Sequence, residues 1–89
     1  MAWRIEFDRA ATRDLKKLDR QASRRIIDFL HGRVAKLDDP RAIGDALKGS
    51  RLGEFWKYRV GDYRIVCNIE DKVLRVFVVR IGNRKDVYR

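Results

Sequence analysis

Alternating cations in the second half of this 89-residue chain could contact the phosphates of a nucleic acid. Lys57 and Arg59 alternate with three bulky apolar residues, Trp56, Tyr58 and Val60. We predict this segment to be a strand, in which successive side chains point to opposite faces of a sheet. If the apolar set faces the core, Lys57 and Arg59 lie together on the open face. Cations that bind phosphates, beside an aromatic ring that stacks on a base, are typical of RNA binding.

Further basic residues follow in the chain. Arg64 lies on the next predicted strand, where its parity allows it to share a face with Lys57 and Arg59. The C-terminal tail adds Arg84 and Tyr88. Four flanking cations are also expected to bind RNA phosphates, namely Lys48, Arg51, Lys85 and Arg89. Two plainer interpretations stay open, because basic side chains also protect exposed sheet edges and Tyr88 could be a packing residue.

Other chemistries have little support in the sequence. The chain has one histidine, His31, and one cysteine, Cys67, which excludes the usual zinc ligand sets and a two-histidine ribonuclease mechanism. We expect His31 to lie on a helix and Cys67 to pack as a small hydrophobe. No glycine-rich phosphate loop leads from a strand into a helix. We therefore expect neither a metal nor a cofactor.

Length and charge limit the class of protein. The chain has room for one domain, which we expect to span residues 1–89. With 22 Lys+Arg against 13 Asp+Glu, the net charge is +9, and the excess is larger in residues 41–89 than in residues 1–40. Such a charge favours an anionic partner, either nucleic acid or an acidic protein. No apolar run approaches the about 20 residues of a membrane span, and no signal peptide is evident, so we expect a cytoplasmic protein without a membrane partner.

Apolar periodicity predicts the elements of the N-terminal half. Alternation over residues 2–7 predicts a half-buried strand, and Asp8 is expected to cap a short amphipathic helix. A longer helix is predicted from Arg20 to Leu37, with Gly32 inside it and Pro40 just beyond its end. Because almost no loop separates the two helices, we expect an antiparallel helical hairpin.

Three strands are predicted after a connector at residues 41–53. They span about 54–60, 63–69 and 73–81. The last of them is the most apolar and is expected to be an interior strand. The predicted fold class is α+β, with the order β-α-α-β-β-β. One small, mostly antiparallel sheet would carry the helical hairpin on one face and leave its other face open.

Three stretches of the chain resemble the RelE branch of the RelE/ParE toxin superfamily. These stretches are LKG at residue 47, WKYRVGDYRIV at residue 56 and IGNRKDVYR at residue 81. The N-terminal half matches as well, so the resemblance covers nearly the whole chain. The resemblance implies the same β-α-α-β-β-β fold. It also implies the toxin of a type II toxin–antitoxin pair, a metal-independent endonuclease that enters the ribosomal A site and cuts the mRNA codon there.

The resemblance also implies the roles of individual residues. Carried over position by position, the catalytic set is Lys57, Arg59, Arg64, Arg84 and Tyr88. In the implied reaction, a 2′-OH attacks the adjacent phosphate and gives a 2′,3′-cyclic phosphate and a free 5′-OH. Neighbouring cations disfavour the charged form of a lysine, so Lys57 is expected to assist proton transfer. Arg64 and Arg84 would stabilise the phosphorane, and Tyr88 would stack on a base or transfer a proton.

One departure from the family pattern keeps alternatives open. Many relatives carry a histidine where this chain has Asn83, and asparagine has no group that titrates near neutral pH. A ParE-like protein that poisons DNA gyrase without cutting RNA is the first alternative, and an inactive antitoxin-binding module is the second. The expected partners are an acidic RelB-like antitoxin, in a toxin–antitoxin hetero-oligomer, together with the ribosome and mRNA.

Overall fold

Two helices cover one face of a five-stranded sheet in the computed structural model, which describes residues 2–47 and 55–83. The strands are β1 (Arg4–Phe7), β2 (Asp45–Ala46), β3 (Phe55–Val60), β4 (Tyr63–Glu70) and β5 (Arg75–Asn83). The helices are α1 (Arg9–Lys17) and α2 (Arg20–Gly32), and short 3₁₀ turns occur at Val34–Lys36, Pro40–Ala42 and Asp71–Val73. The α+β prediction is confirmed.

The sheet is mixed, with the strand order β1-β5-β4-β3-β2. β1 runs parallel to β5, and the other neighbouring strands are antiparallel. β5 lies between β1 and β4, which confirms that the most apolar segment is an interior strand. The connector at residues 41–53 was expected to have no strand, and this was wrong. β2 forms within it and pairs with β3, with Asp45 opposite Lys57 and Ala46 opposite Trp56.

A bulge in β5 decides which of its side chains face the helices. The ladder pairs Cys67 with Val78 but Val66 with Arg80, so β5 has one extra residue between these two pairs. Side chains three positions apart, Val78 and Ile81, are therefore both buried in the core. Without the bulge, strict alternation would direct them to opposite faces of the sheet.

Aspartates begin both helices. The carboxylate of Asp8 accepts a hydrogen bond from the amide of Ala10, and that of Asp19 accepts one from Ala22. α2 ends at Gly32, five residues earlier than predicted. Glycine has a low helix propensity, and the following turn tightens into a 3₁₀ helix, so the apolar periodicity continues while the α-helix does not.

The core lies between the helices and the sheet. α1 packs mainly against β5 and β1, and α2 contacts β3. A hydrogen bond from the Ser23 hydroxyl to the carbonyl of Leu15 ties the two helices together. Cys67 is fully buried, as predicted, and burial raises the pKa of its thiol. The buried cluster is Trp3, Ala11, Ile26, Leu30, Val34, Tyr58, Ile65, Cys67, Ile69, Val76, Val78 and Ile81.

Candidate nucleic-acid interface

The tight turn between β3 and β4 places three predicted site residues on one face of the sheet. Arg59 lies directly opposite Arg64, and Lys57 lies opposite Val66. Residues opposite each other in an antiparallel pair share a face. On the reverse face, Tyr58 is buried with Ile65 in the core. The three cations, called the basic patch below, therefore lie on the side of the sheet away from the helices, as the parity of the sequence predicted.

The members of the basic patch differ in exposure. Arg59 is exposed and Lys57 is half-buried, whereas Arg64 retains only 8% of its accessible surface. Asp62, in the turn, lines a small cavity of about 70 Å³ together with Arg59 and Arg64. Like charges directly opposite each other in a sheet repel. The opposed pair of arginines therefore concentrates positive charge at this end of the sheet face.

An open cleft of about 380 Å³ adjoins the basic patch. Its remaining walls come from the end of α2, with Phe29 and Arg33, and from the segment before and within β2, with Gly44 and Asp45. Sequence reasoning missed these residues. Arg33 follows the glycine that ends α2, and β2 brings Asp45 opposite Lys57. The cleft combines an aromatic ring, cations and a carboxylate, which are groups that contact bases and phosphates.

Three hydrogen bonds and one glycine hold the β2 wall of this cleft. The indole of Trp56 donates to the carbonyl of Ile43 at 2.8 Å, and the hydroxyl of Tyr58 donates to Pro40 at 2.6 Å. Burial raises the pKa of Tyr58, which keeps its hydroxyl protonated as a donor. Gly44 has a φ of +83°, and a Cβ there would lie 2.5 Å from a backbone oxygen of β3. Only glycine fits this position. A third hydrogen bond, from the guanidinium of Arg41 to the carbonyl of Ile69, also holds the segment before β2.

The other end of the same sheet face carries cations that are already neutralised. The guanidinium of Arg75 lies 2.9 Å from a carboxylate oxygen of Glu6 and 2.6 Å from one of Glu70. It also lies over the ring of Phe77, 5.2 Å from the centroid. Hydrogen bonds to Glu70 and Glu6 raise the pKa of Arg75. This group of four residues, called the Arg75 cluster below, has little cationic charge left for a ligand.

The structure places two further residues that the sequence singled out, but none of the other predicted site residues. His31 is exposed on α2, as expected. Asn83 is exposed at the end of β5, opposite Tyr63. Among residues 2–47 and 55–83, no group of three or more His, Cys, Asp or Glu side chains could hold a metal ion. Six predicted residues lie outside the described residues, namely Lys48, Arg51, Arg84, Lys85, Tyr88 and Arg89.

No helix in the described part of the chain is long and apolar enough to cross a membrane. The fold and the basic patch together define a small α+β protein with a cationic sheet face beside a cleft, a surface suited to a polyanion. Comparison with known proteins identifies its family. The family model described as "ParE toxin of type II toxin-antitoxin system, parDE" matches residues 5–88. The chain therefore belongs to this toxin family, within the RelE/ParE superfamily.

Relatives named RelE and RelG are similar to nearly the whole chain. Toxin RelG of Mycobacterium tuberculosis is 30% identical over 89 residues, which cover 100% of this chain and 99% of RelG. The mRNA interferase toxin RelE of Escherichia coli is 29% identical over 85 residues, covering 96% of this chain and 86% of that protein. The toxin–antitoxin complex RelBE2 of M. tuberculosis contains a chain with a TM-score of 0.84 and 27% identity, covering 97% of this chain and 95% of its own. The resemblance inferred from sequence is confirmed.

Proposed function

We propose that this toxin is an endoribonuclease that cleaves mRNA in the ribosomal A site, without a metal or cofactor, and so inhibits translation. One observation carries the proposal, namely the convergence of Lys57, Arg59 and Arg64 on one sheet face, with the two arginines directly opposed. A phosphate between opposed arginines would relieve their repulsion and gain charge-assisted hydrogen bonds. The scissile phosphate is such an anion, and its negative charge becomes more concentrated in the phosphorane.

The proposed reaction needs only proton transfers and charge stabilisation. The 2′-oxygen of one nucleotide forms a bond to the adjacent phosphorus as its proton leaves. The bond from phosphorus to the 5′-oxygen then breaks, and that oxygen takes up a proton from Tyr88 or from water. We assign the first proton transfer to Lys57 and phosphorane stabilisation to Arg64, with Arg59 contacting the same phosphate. Arg84 and Tyr88 remain proposed members of the site. Asn83 is at most a hydrogen-bonding group there.

The ribosome has a defined role in this proposal. The basic patch and its cleft are open to solvent, and binding on an open surface does not by itself align a 2′-OH with its phosphate. Correct alignment of the reacting groups is worth about 7–11 kcal/mol in well-oriented reactions. We assign this alignment to the ribosome, which holds the mRNA codon in place. The protein measures 32 × 29 × 22 Å, so it is small enough to act within a confined site.

The comparisons support two candidate activities unequally. The E. coli relative is named an mRNA interferase, which favours RNA cleavage. The family model is described as a ParE toxin, so poisoning of DNA gyrase is the second candidate. The opposed arginines favour the first, because they form a local phosphate site beside a proton-transfer group. An inactive module would have no need for this arrangement.

We also propose an acidic antitoxin as the physiological partner. The structural neighbour from M. tuberculosis is a chain of a toxin–antitoxin complex. An acidic, RelB-like protein would complement the net charge of +9 and form a hetero-oligomer with this chain. With the ribosome and mRNA as its targets, the toxin would act in the cytoplasm.

Primer extension on a translated mRNA tests the proposed activity. The wild-type protein should produce codon-phased cuts, and Lys57→Ala should slow cleavage by about 10²–10⁴-fold, the usual contribution of general acid–base catalysis. Lys72→Ala is the matched control, because Lys72 is exposed in the turn at the other end of β4 and carries the same charge. Intact mRNA combined with growth arrest and DNA breaks would contradict RNA cleavage and favour gyrase poisoning.

A further inference from the structure

Two phenylalanine rings lie on the side of the sheet away from the helices and take no part in the core. Among residues 2–47 and 55–83, every other aromatic residue belongs to the core cluster or packs against it, but Phe55 and Phe77 do neither. Both side chains are half-buried. They lie in one row across the sheet, because Asn68 of β4 pairs with Phe55 on one side and with Phe77 on the other. Core packing therefore does not explain these two aromatic residues.

The two rings differ in what lies against them. The guanidinium of Arg75 lies over the ring of Phe77, 5.2 Å from its centroid. Phe55 instead lines an open cavity of about 480 Å³, called the Phe55 cavity below, and Phe77 does not line it. Sites for small molecules commonly have volumes of about 300–1,000 Å³. Phe77 therefore has a partner within the protein, whereas Phe55 borders space that a ligand can fill.

The walls of the Phe55 cavity favour an uncharged occupant. Asn68 supplies an amide to these walls, and Glu70 and Asp71 supply carboxylates. The one cation among the lining residues, Arg41, donates two hydrogen bonds to Asp71. Like charges brought together at an interface repel. The two carboxylates therefore disfavour a phosphate group or a segment of an acidic protein in the cavity.

A phosphate site adjoins the Phe55 cavity on the same strand. Lys57 of the basic patch lies two residues after Phe55 on the same face of β3, about 7 Å along the strand. The amide of Asn68 offers both a donor and an acceptor, and it has no side-chain hydrogen bond within the described residues. A nucleotide carries an anion and a flat uncharged ring on one ribose. Its phosphate suits Lys57, and its base suits an aromatic ring beside an amide.

We propose that the Phe55 cavity is a subsite for one unpaired base of the RNA strand whose phosphate lies on the basic patch. The base stacks on Phe55, and its edge exchanges hydrogen bonds with the amide of Asn68. The inference rests on the proposed function, which brings single-stranded mRNA to this face of the sheet. Attachment at a phosphate and at a base fixes the direction in which the RNA crosses the basic patch.

Short RNAs with and without bases test this subsite in the full-length chain. One probe is a single-stranded RNA pentanucleotide, and the other is an abasic ribose-phosphate chain of the same length and charge. Phe55→Leu removes the ring and keeps an apolar side chain, whereas Phe55→Tyr keeps a ring. Phe77→Leu is the matched control, because it removes a ring from the same row of the sheet without changing the lining of the cavity. Circular dichroism checks folding, and mRNA cleavage on ribosomes is measured in parallel.

The wild-type protein should bind the RNA with bases about 5–150-fold more tightly than the abasic chain, the contribution expected from one base stacked on an aromatic ring. Phe55→Leu should lose most of this difference, whereas Phe55→Tyr and Phe77→Leu should keep it. Asn68→Ala should narrow the differences in affinity among pentanucleotides of the four bases, because the amide contacts the edge of the base. Unchanged differences would overturn the role of Asn68.

Equal binding of the two probes by the wild-type protein would overturn the inference. So would equal losses in Phe55→Leu and Phe77→Leu, or a loss in Phe55→Leu that is the same for both probes. Weaker binding of polyglutamate by Phe55→Leu, with unchanged RNA binding, would assign the cavity to an acidic protein instead. Base-dependent binding that requires Phe55, without mRNA cleavage by the wild type, would support this inference and contradict the proposed function. Cleavage by the wild type without base-dependent binding would do the reverse.

Discussion

The outer face of the two helices and the Arg75 cluster both contain arginines, but only the helix face keeps its positive charge available. In the Arg75 cluster, two carboxylates lie within 2.9 Å of one guanidinium. On the outer face of α1 and α2, called the helix surface below, six cations are exposed without a carboxylate partner in the described part of the fold, namely Arg9, Arg13, Lys16, Lys17, Arg20 and Arg24. The net charge of +9 does not distinguish them. The comparison shows that the pairing of a cation with carboxylates, more than the number of cations, decides whether its charge is available to a ligand.

The basic patch is a third arrangement. Its two arginines face each other across a ladder, and one of them is 8% exposed. Solvent screens the interactions of a largely buried cation less than those of an exposed one. This difference supports the proposed role of the basic patch in local phosphate chemistry.

The largest expected effect comes from truncating a buried side chain of α2. Leu30 is completely buried in α2, and Leu30→Ala would leave a cavity under the helix. We expect a loss of about 2–5 kcal/mol in the free energy of unfolding, measured by urea denaturation. Ile27→Ala, on the exposed side of α2, is the control and should cost far less. Equal losses would mean that α2 does not pack as described.

A smaller loss is expected from the carboxylate that holds α1 to β5. Asp14 accepts from the amide of Ile81 at 2.8 Å, at an edge that β1 no longer covers because its ladder ends at Val78. Asp14→Ala removes the acceptor and should cost about 1–3 kcal/mol, the penalty for a buried donor without a partner. The exposed Asp28 provides the control substitution, Asp28→Ala. Unchanged stability of Asp14→Ala would contradict this anchoring role.

Local patterns determine how much of the fold the sequence predicts. Alternation and apolar periodicity located both helices and the four longer strands, because each pattern depends only on which face of an element is buried. β2 escaped prediction because Asp45 and Ala46 are both exposed and show no periodicity. The early end of α2 escaped because Val34 remains buried and continues the apolar pattern after the helix has tightened.

The candidate site was predictable where it depends on neighbouring residues in the chain. The two-residue turn at Gly61-Asp62 fixes the β3–β4 register, so the opposition of Arg59 and Arg64 follows from the sequence. The cleft was not predictable, because Arg33 and other residues distant in sequence meet only through the tertiary fold. Summing charge over each half of the chain also hid which cations are neutralised by carboxylates.

Releasing a neutralised cation should make the Arg75 cluster resemble the helix surface. Glu6→Gln/Glu70→Gln removes both carboxylates that hold Arg75, and the freed guanidinium becomes available to phosphates. We expect RNA-duplex binding to gain about 0.9 in the slope of its salt dependence, equal to one added phosphate contact. Adding Arg75→Gln to the double variant should cancel the gain. If the triple variant binds as steeply as the double, net charge and not release of Arg75 explains the change.

The smallest effect is expected at the exposed pair of Arg41 and Asp71, where two hydrogen bonds of 2.9 and 3.0 Å join the side chains. The hydrogen bond from Arg41 lowers the pKa of Asp71 below its ordinary value of 3.8. The pair therefore contributes fully to the free energy of unfolding above about pH 4, and its contribution is lost as pH falls through the lowered pKa of the folded state.

Because solvent screens the pair, Asp71→Asn should cost at most about 1 kcal/mol at neutral pH. Urea unfolding at about pH 7 and about pH 3 should show this difference shrinking in acid. A cost that is the same at both pH values would mean that the ion pair contributes nothing to stability and that the amide substitution acts in another way.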